Sequence, residues 1–182
     1  MTTAVEINRF CTYATVSELN YLRTLASVLG PGVSVVMLGA GPGVMAVAVM
    51  EGNPKLNLTI VDHETLNYVS AHLLGAGLGE KANLWQMDSA EAARHWSGGA
   101  IGLLIVDADH TYEGVKRDLQ AWAQFVAHGG YIFLHDYDAR GTLFEHQEQY
   151  PGVMQAVDEL LIPDPQWNVE ILVGTAIVFK HV

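Results

Sequence analysis

Apolar positions along the chain fall into short blocks whose period alternates between that of a helix and that of a strand. Leu19, Leu22, Leu25, Ala26 and Leu29 recur at helical spacing behind Thr15-Val16-Ser17-Glu18, which has the form of a capping box. Gly30-Pro31-Gly32 stops them. Residues 33–38 form a valine-rich run of the kind buried on both faces of a sheet. A glycine-rich turn at 39–43 follows, and 44–50 reads as the helix leaving it. The alternation repeats: a strand at 56–61, a helix from about 64 to 74, a weaker strand at 82–87, and a helix at about 90–96. Residues 101–106 make a strong strand, after which Val115, Leu119, Trp122 and Val126 mark one face of a helix. Gly129-Gly130 is expected to close that helix, and 131–134 to be the fifth strand.

Strand and helix in regular succession predict a parallel sheet covered on both faces. The end of the chain breaks the rhythm. Residues 137–150 are polar, lack an apolar period and are long for a connection, a length usual in lids and binding loops. Pro151 sits where a first helical turn tolerates proline, and Val153, Ala156, Val157, Leu160 and Leu161 give that helix an apolar face. Strands at about 167–172 and 175–180 are joined at Val173-Gly174, a connection so short that the pair must be antiparallel. The expected fold is α/β: a single-domain, Rossmann-like, doubly wound sheet of seven strands, mostly parallel with an antiparallel C-terminal strand. Residues 1–32 form an N-terminal helical segment ahead of the Rossmann-like domain at 33–182.

Composition narrows the class. The chain has 182 residues, half of them apolar, enough for one core that buries roughly 70% of the unfolded surface. Twenty acidic against nine basic side chains give a net charge of −11, which disfavours nucleic acid and anionic membranes as partners. A single cysteine, Cys11, excludes a disulfide framework and a cysteine-rich metal site; it reads as a small buried apolar residue. No apolar stretch approaches the ~18 residues of a membrane span, and residues 1–10 show no cationic region followed by an apolar run. The expectation is a soluble cytoplasmic protein acting on a small molecule, with self-association left open.

In an open parallel sheet, ligands bind beyond the carboxyl ends of the strands. The residues there are Gly39-Ala40-Gly41-Pro42-Gly43, Asp62-His63, Asp88-Ser89, Asp107-Ala108-Asp109-His110 and His135-Asp136. Carboxylates at four of these five ends contribute nothing to packing and are costly to bury. The first turn reads G-x-G-x-G, and Asp62 follows about twenty residues later, where an acid accepts hydrogen bonds from ribose hydroxyls. Asp88 and Ser89 either meet an adenine amino group or cap the helix that begins there. No lysine follows the turn, which removes a P-loop. Ala46 is placed as the last small residue of a dinucleotide pattern, so a nicotinamide-dependent oxidoreductase stays an alternative, although an adenosine without phosphates suits the electronegative surroundings better.

Asp107, Asp109, His110, His135 and Asp136 form a second constellation if strands four and five are neighbours. Like charges packed that closely raise each other's proton affinity unless a cation neutralises them, and oxygen-rich donors suit magnesium, calcium or manganese. Asp109 reads as a cap of the helix near Thr111, and His135 equally well as a core residue. His63, His72, His95, His128, His146 and His181 read as surface or helix-end residues, the lesser alternative being that His63 borders a nucleoside and His146 enters the pocket from the loop. Trp85, Trp96, Trp122 and Trp167 read as core or core-edge aromatics.

These motifs resemble a known family. The segments VDADHTYEGVKRDLQAW (106–122), GGYIFLHDY (129–137) and PGVMQAVDEL (151–160) are similar to class I S-adenosylmethionine-dependent methyltransferases. Within that class they look like the stand-alone domains akin to macrolide sugar O-methyltransferases and cephalosporin hydroxylase-like proteins. The resemblance implies that Gly39, Ala40, Gly41 and Gly43 face the methionine part of S-adenosylmethionine. It implies that Asp62, with His63 beside it, holds the ribose, and that Asp88 and Ser89 approach the adenine. It implies Asp107 as a cofactor contact and magnesium ligand, His110 as the base that takes the acceptor's hydroxyl proton, and His135 and Asp136 as the remaining metal ligands. The sequence departs from the family at Met37, where an acidic residue is common, and at His135, where the sugar enzymes have a second acid. A binding module that keeps the fold without catalysis is the alternative that Met37 and the compact size motivate.

Overall fold

The computed structural model describes residues 2–11, 14–79, 81–138 and 150–182, the side chains of Phe10 and Cys11 apart. Two N-terminal helices, α1 (Ala4–Cys11) and α2 (Val16–Val28), precede β1 (Ser34–Leu38), α3 (Val44–Gly52), β2 (Asn57–Asp62), α4 (Asn67–Gly75) and β3 (Ala82–Gln86). Then come α5 (Ser89–His95), β4 (Ile101–Val106), α6 (Tyr112–Trp122), β5 (Val126–Leu134), α7 (Pro151–Leu160), β6 (Trp167–Val173) and β7 (Ala176–His181). The strands form one sheet in the order β3-β2-β1-β4-β5-β7-β6. The strands β1 to β5 pair in parallel, and β7 is antiparallel to both β5 and β6. Six of the seven described strands therefore point the same way. The order reverses between β1 and β4, the place where such sheets open a crevice.

The central strands are valine- and leucine-rich because both of their faces are covered. Val35, Met37, Leu58, Ile60, Leu103 and Ile105 pack with apolar side chains of α1, α2, α3 and α4. The alternate residues Val36, Leu38, Leu104 and Val106 pack with α5, α6 and α7. Helix α3 is apolar all round, with Val44 to Met50 buried; α1 and α2 cover its outer side while the sheet covers its inner one. A helix enclosed in this way needs no polar face.

Most predicted elements stand within a few residues of where periodicity puts them. Helix α2 opens on the complete Thr15–Glu18 capping box. Helix α4 begins at Asn67, three residues later than the sequence suggests. One expectation is corrected: Gly129-Gly130 does not close a helix. The preceding helix ends at Trp122 with a short 3-10 turn, Ala123–Phe125, after it, and the glycines lie inside β5. Val126 pairs with Ile101 and Tyr131 with Leu103, so the residues between them bulge out, with Gly129 at φ 81°. Val126 imitates the helical period because it is buried in the same cluster as Leu119 and Trp122. The polar connection predicted at 137–150 lies, from 139 to 149, outside the described residues, and His146 with it.

Candidate active site

The carboxyl ends of the parallel strands surround a cleft of about 960 Å³, lined among others by Gly39, Gly41, Asp62, His63, Asp88, Ser89, Asp107, His110, His135 and Asp136. The fold thus brings all five predicted strand-end motifs to one opening.

Its first wall is the glycine turn. Gly39, Gly41 and Gly43 have φ of 77°, 45° and 85°, a region L side chains avoid. At Gly39 a Cβ would overlap the Asp107 carbonyl, so the turn lies directly against the backbone after β4. Asp62 holds it there: Oδ2 accepts from the Ala40 amide at 2.7 Å and Oδ1 from the Glu64 amide at 2.8 Å. A carboxylate has about four acceptor sites, which leaves Asp62 capacity toward the cleft. His63 stands at the rim, 78% exposed, with Nδ1 3.6 Å from Asp62 Oδ1. Asp88 takes the capping reading and also faces the cleft. It is the N-cap of α5, accepting from the Glu91 amide at 3.0 Å, and it also lines the cleft with Arg117 3.6 Å away. The Ser89 hydroxyl donates inward to buried Asp118. Met37 is fully buried in the core beneath the turn; among the described residues the turn's acidic partner is Asp62.

The second wall is a cluster of carboxylates and imidazoles. His110 Nε2 lies 3.4 Å from Asp107 Oδ1 and 3.2 Å from Asp136 Oδ2. His135 Nδ1 lies 3.1 Å from the same Asp107 oxygen and 3.4 Å from the same Asp136 oxygen. One ligand atom from each of Asp107, His110 and Asp136 falls within a 4.8 Å span. His135 sits beneath them, 6% exposed, and its Nε2 faces Glu18 Oε2 at 3.4 Å. Asp109, predicted as a helix cap, bonds the Thr111 amide at 2.9 Å, while Thr111 is the N-cap itself. Asp136 has a φ of 56°, the only positive value at a non-glycine residue among those described. Such a conformation persists where its surroundings enforce it; here the Thr175 hydroxyl lies 3.2 Å from Asp136 Oδ1.

The charges of the cluster are interdependent. Burial opposes protonation of His110, but hydrogen bonding and charge from Asp107 and Asp136 outweigh it, pushing its pKa up to about 9. Burial likewise opposes charge on His135, and Asp107, Asp136 and Glu18 hold its pKa well above the usual histidine range. Burial would raise the carboxyls of Asp107 and Asp136, yet the two imidazoles hold both below the ordinary range. The Nε2 atoms of His110 and His135 are buried without an aligned hydrogen-bond partner despite these short separations.

Three participants escape sequence reading. Tyr150 lies against the His110 ring, with centroids 4.2 Å apart, and lines the cleft with Arg117. Glu18 is fully buried, accepting from the Thr15 amide at 2.6 Å and the Thr175 amide at 2.5 Å. Its sequence signal is the capping box, which is real but describes only half of what the side chain does.

Residues 29–137 match the family model described as a methyltransferase domain. No curated protein sequence matches the chain. Among solved structures, a Corynebacterium glutamicum protein superposes with a TM-score of 0.78 at 16% identity, covering 98% of this chain and 88% of its own. An O-methyltransferase from Bacillus cereus in complex with SAH gives 0.73 at 12% identity, with coverage of 97% and 87%. TomG from Streptomyces achromogenes, an O-methyltransferase involved in tomaymycin synthesis and solved with SAM, gives 0.72 at 14%, with coverage of 98% and 87%. With more than half of its length inside the matched domain, the chain belongs to the methyltransferase-domain family, among the class I S-adenosylmethionine-dependent methyltransferases that its motifs resemble.

Proposed function

We propose that the protein is an S-adenosylmethionine-dependent O-methyltransferase of a small hydroxylated acceptor, assisted by a divalent cation such as magnesium. The observation that carries this reading is the meeting, in one cleft, of the Asp62-braced glycine turn with the Asp107–His110–Asp136 cluster. The neighbours from Bacillus cereus and Streptomyces achromogenes, described as O-methyltransferases with SAH and SAM, support the cofactor. Net acidity supports a small-molecule acceptor over a nucleic acid. Among the described residues no helix is long and apolar enough to cross a membrane, in keeping with a cytoplasmic setting.

The residues fit both absent groups. The glycine turn presents backbone where any Cβ at Gly39 would intrude, and Asp62 and Asp88 stand beyond it at the ends of β2 and β3. When bound, S-adenosylmethionine supplies a methyl group made electrophilic by its sulfonium, so the protein need add only orientation and a nucleophile. Asp62, with His63 at its side, would hold the ribose diol; Asp88 and Ser89 would flank the adenine; Gly39, Ala40, Gly41 and Gly43 would line the methionine end beside Asp107. For the cation, Asp107 and Asp136 would offer oxygens, with His135 held against both, and the ion would take over from the two imidazoles the balancing of their charge. A cation there would lower the acceptor's pKa and offset the charges that keep His110 protonated. His110, which lines the same cleft beside these two carboxylates, would then serve as the base that takes the acceptor's proton. Tyr150, packed at a tilt against the His110 ring, limits the ring's swing.

Calorimetry with S-adenosylmethionine and S-adenosylhomocysteine, with and without magnesium, tests the reading. Both ligands should bind, and Asp62→Ala should weaken them at least tenfold. No heat with either at millimolar concentration overturns the proposal. Fluorescence titration with NADH should show no binding; saturable NADH binding would favour an oxidoreductase instead.

A further inference from the structure

We propose that Glu18, on the N-terminal helix α2, is a positioning residue of the cleft, fixing His135 directly and Asp136 through Thr175. Its catalytic consequence rests on the methyltransferase reading above; the positioning itself rests on geometry alone. Glu18 has no exposed surface. Burying a carboxylate is costly unless donors surround it, and here they come from three separate parts of the chain. Oε2 accepts from the Thr15 amide and faces His135 Nε2 at 3.4 Å. Oε1 accepts from both the amide and the hydroxyl of Thr175, at 2.5 and 2.9 Å. That same hydroxyl lies 3.2 Å from Asp136 Oδ1.

These contacts exceed what a helix cap requires. A capping box asks its glutamate to bond the N-cap amide, which one oxygen does; the other oxygen is given wholly to a residue 157 positions away. The approach is also built into the β6–β7 turn. Gly174 has a φ of 60°, and a Cβ there would overlap both the Glu18 carboxylate and the Thr15 hydroxyl. With Glu18 beneath Nε2, the His135 ring presents Nδ1 to Asp107 and Asp136. Asp136, in its left-handed conformation, is held from the other side by Thr175. Outer-shell partners of this kind set the orientation of the groups they touch, and their loss typically costs about 10- to 100-fold in metal affinity.

Glu18→Gln is the informative substitution, because the amide keeps the shape but replaces one acceptor oxygen with a donor facing other donors. In its crystal structure the His135 ring should turn away from Asp107. Manganese affinity, followed by electron paramagnetic resonance, should fall at least tenfold, while S-adenosylhomocysteine affinity by calorimetry stays within about twofold. Thr175→Val should weaken manganese in the same direction and Thr175→Ser should restore it, a pair that keeps the test decisive if Glu18→Gln folds poorly. An unmoved His135 and Asp136 in Glu18→Gln, or equal manganese affinities for Thr175→Val and Thr175→Ser, would overturn the assignment. If the unmodified protein binds no S-adenosylhomocysteine, the methyltransferase reading fails and the crystallographic comparison still decides the role of Glu18. If it binds no manganese, that comparison decides likewise.

Discussion

A buried carboxylate outside the acid–imidazole cluster shows how strongly single residues here depend on their surroundings. Asp118, on α6, has no exposed surface; the Ser89 hydroxyl donates to Oδ1 while Oδ2 has no hydrogen-bond partner. Burial is the main reason its pKa rises to about 6, with the charges of Asp88 and Asp109 adding to it against the Ser89 bond and Arg117. The folded state therefore binds this proton more tightly than the unfolded chain, whose ordinary value is 3.8. The group's contribution is neutral to folding below about 4; a penalty grows as pH rises from about 4 to about 6 and is fully present above that. The gap corresponds to roughly 3 kcal/mol at most. Asp118→Asn keeps the acceptor for Ser89 without the charge. It should raise stability by about 1 kcal/mol or more at pH 7.5 and change it little at pH 4. Urea denaturation at the two pH values checks this; equal shifts at both would show that charge is not the cause.

At the scale of elements, two glycines separate backbone strain from close approach. Gly39 and Gly129 have nearly the same φ, 77° and 81°. A Cβ on Gly39 would overlap the Asp107 carbonyl, whereas one on Gly129 would meet nothing within 4 Å. Gly129→Ala should cost only the left-handed penalty of about 1–2 kcal/mol and leave S-adenosylhomocysteine binding intact. Gly39→Ala should cost more and weaken binding at least tenfold, because the turn must leave the end of β4. Thermal melts and calorimetry on the two variants provide the check; similar losses in both would remove the case for close approach at the turn.

The same elements show what the sequence makes legible. Periodicity found β4 at its observed bounds because residues 101–106 are apolar without interruption and both faces of that strand are covered. It misread Val126, since burial beside Leu119 and Trp122 looks alike in sequence whether the residue ends a helix or begins a strand. The five strand-end motifs were recognisable because parallel strands must deliver their carboxyl ends to one rim. Glu18 was not, because no local pattern records a bond to Thr175. The distinct positions of His110 and His135, one at the cleft and one beneath it, were also hidden, since side-chain depth is set by packing across strands.

For the molecule as a whole, the arrangement of the sheet determines where a ligand is felt. Six strands run in one direction, so the turns after β1, β2, β3, β4 and β5 share the rim that holds the cleft. The opposite rim carries the connections around Gly32, Lys55 and Gly99, joined to each other through bonds such as Gly32 N to Lys55 O at 2.8 Å. A ligand at a hundredfold excess over its dissociation constant stabilises the folded state by about 2.7 kcal/mol. Amides that exchange only by global unfolding should all slow by that amount. Amides that exchange by local opening should slow only where the ligand closes the opening. Hydrogen exchange with S-adenosylhomocysteine should therefore show added protection at 39–43, 62–64, 87–89 and 107–110. Amides near 32, 55 and 99 that exchange by local opening should be unchanged. Protection concentrated at that second rim would place the ligand on the wrong side of the sheet, and the cleft would lose its claim to be the active site.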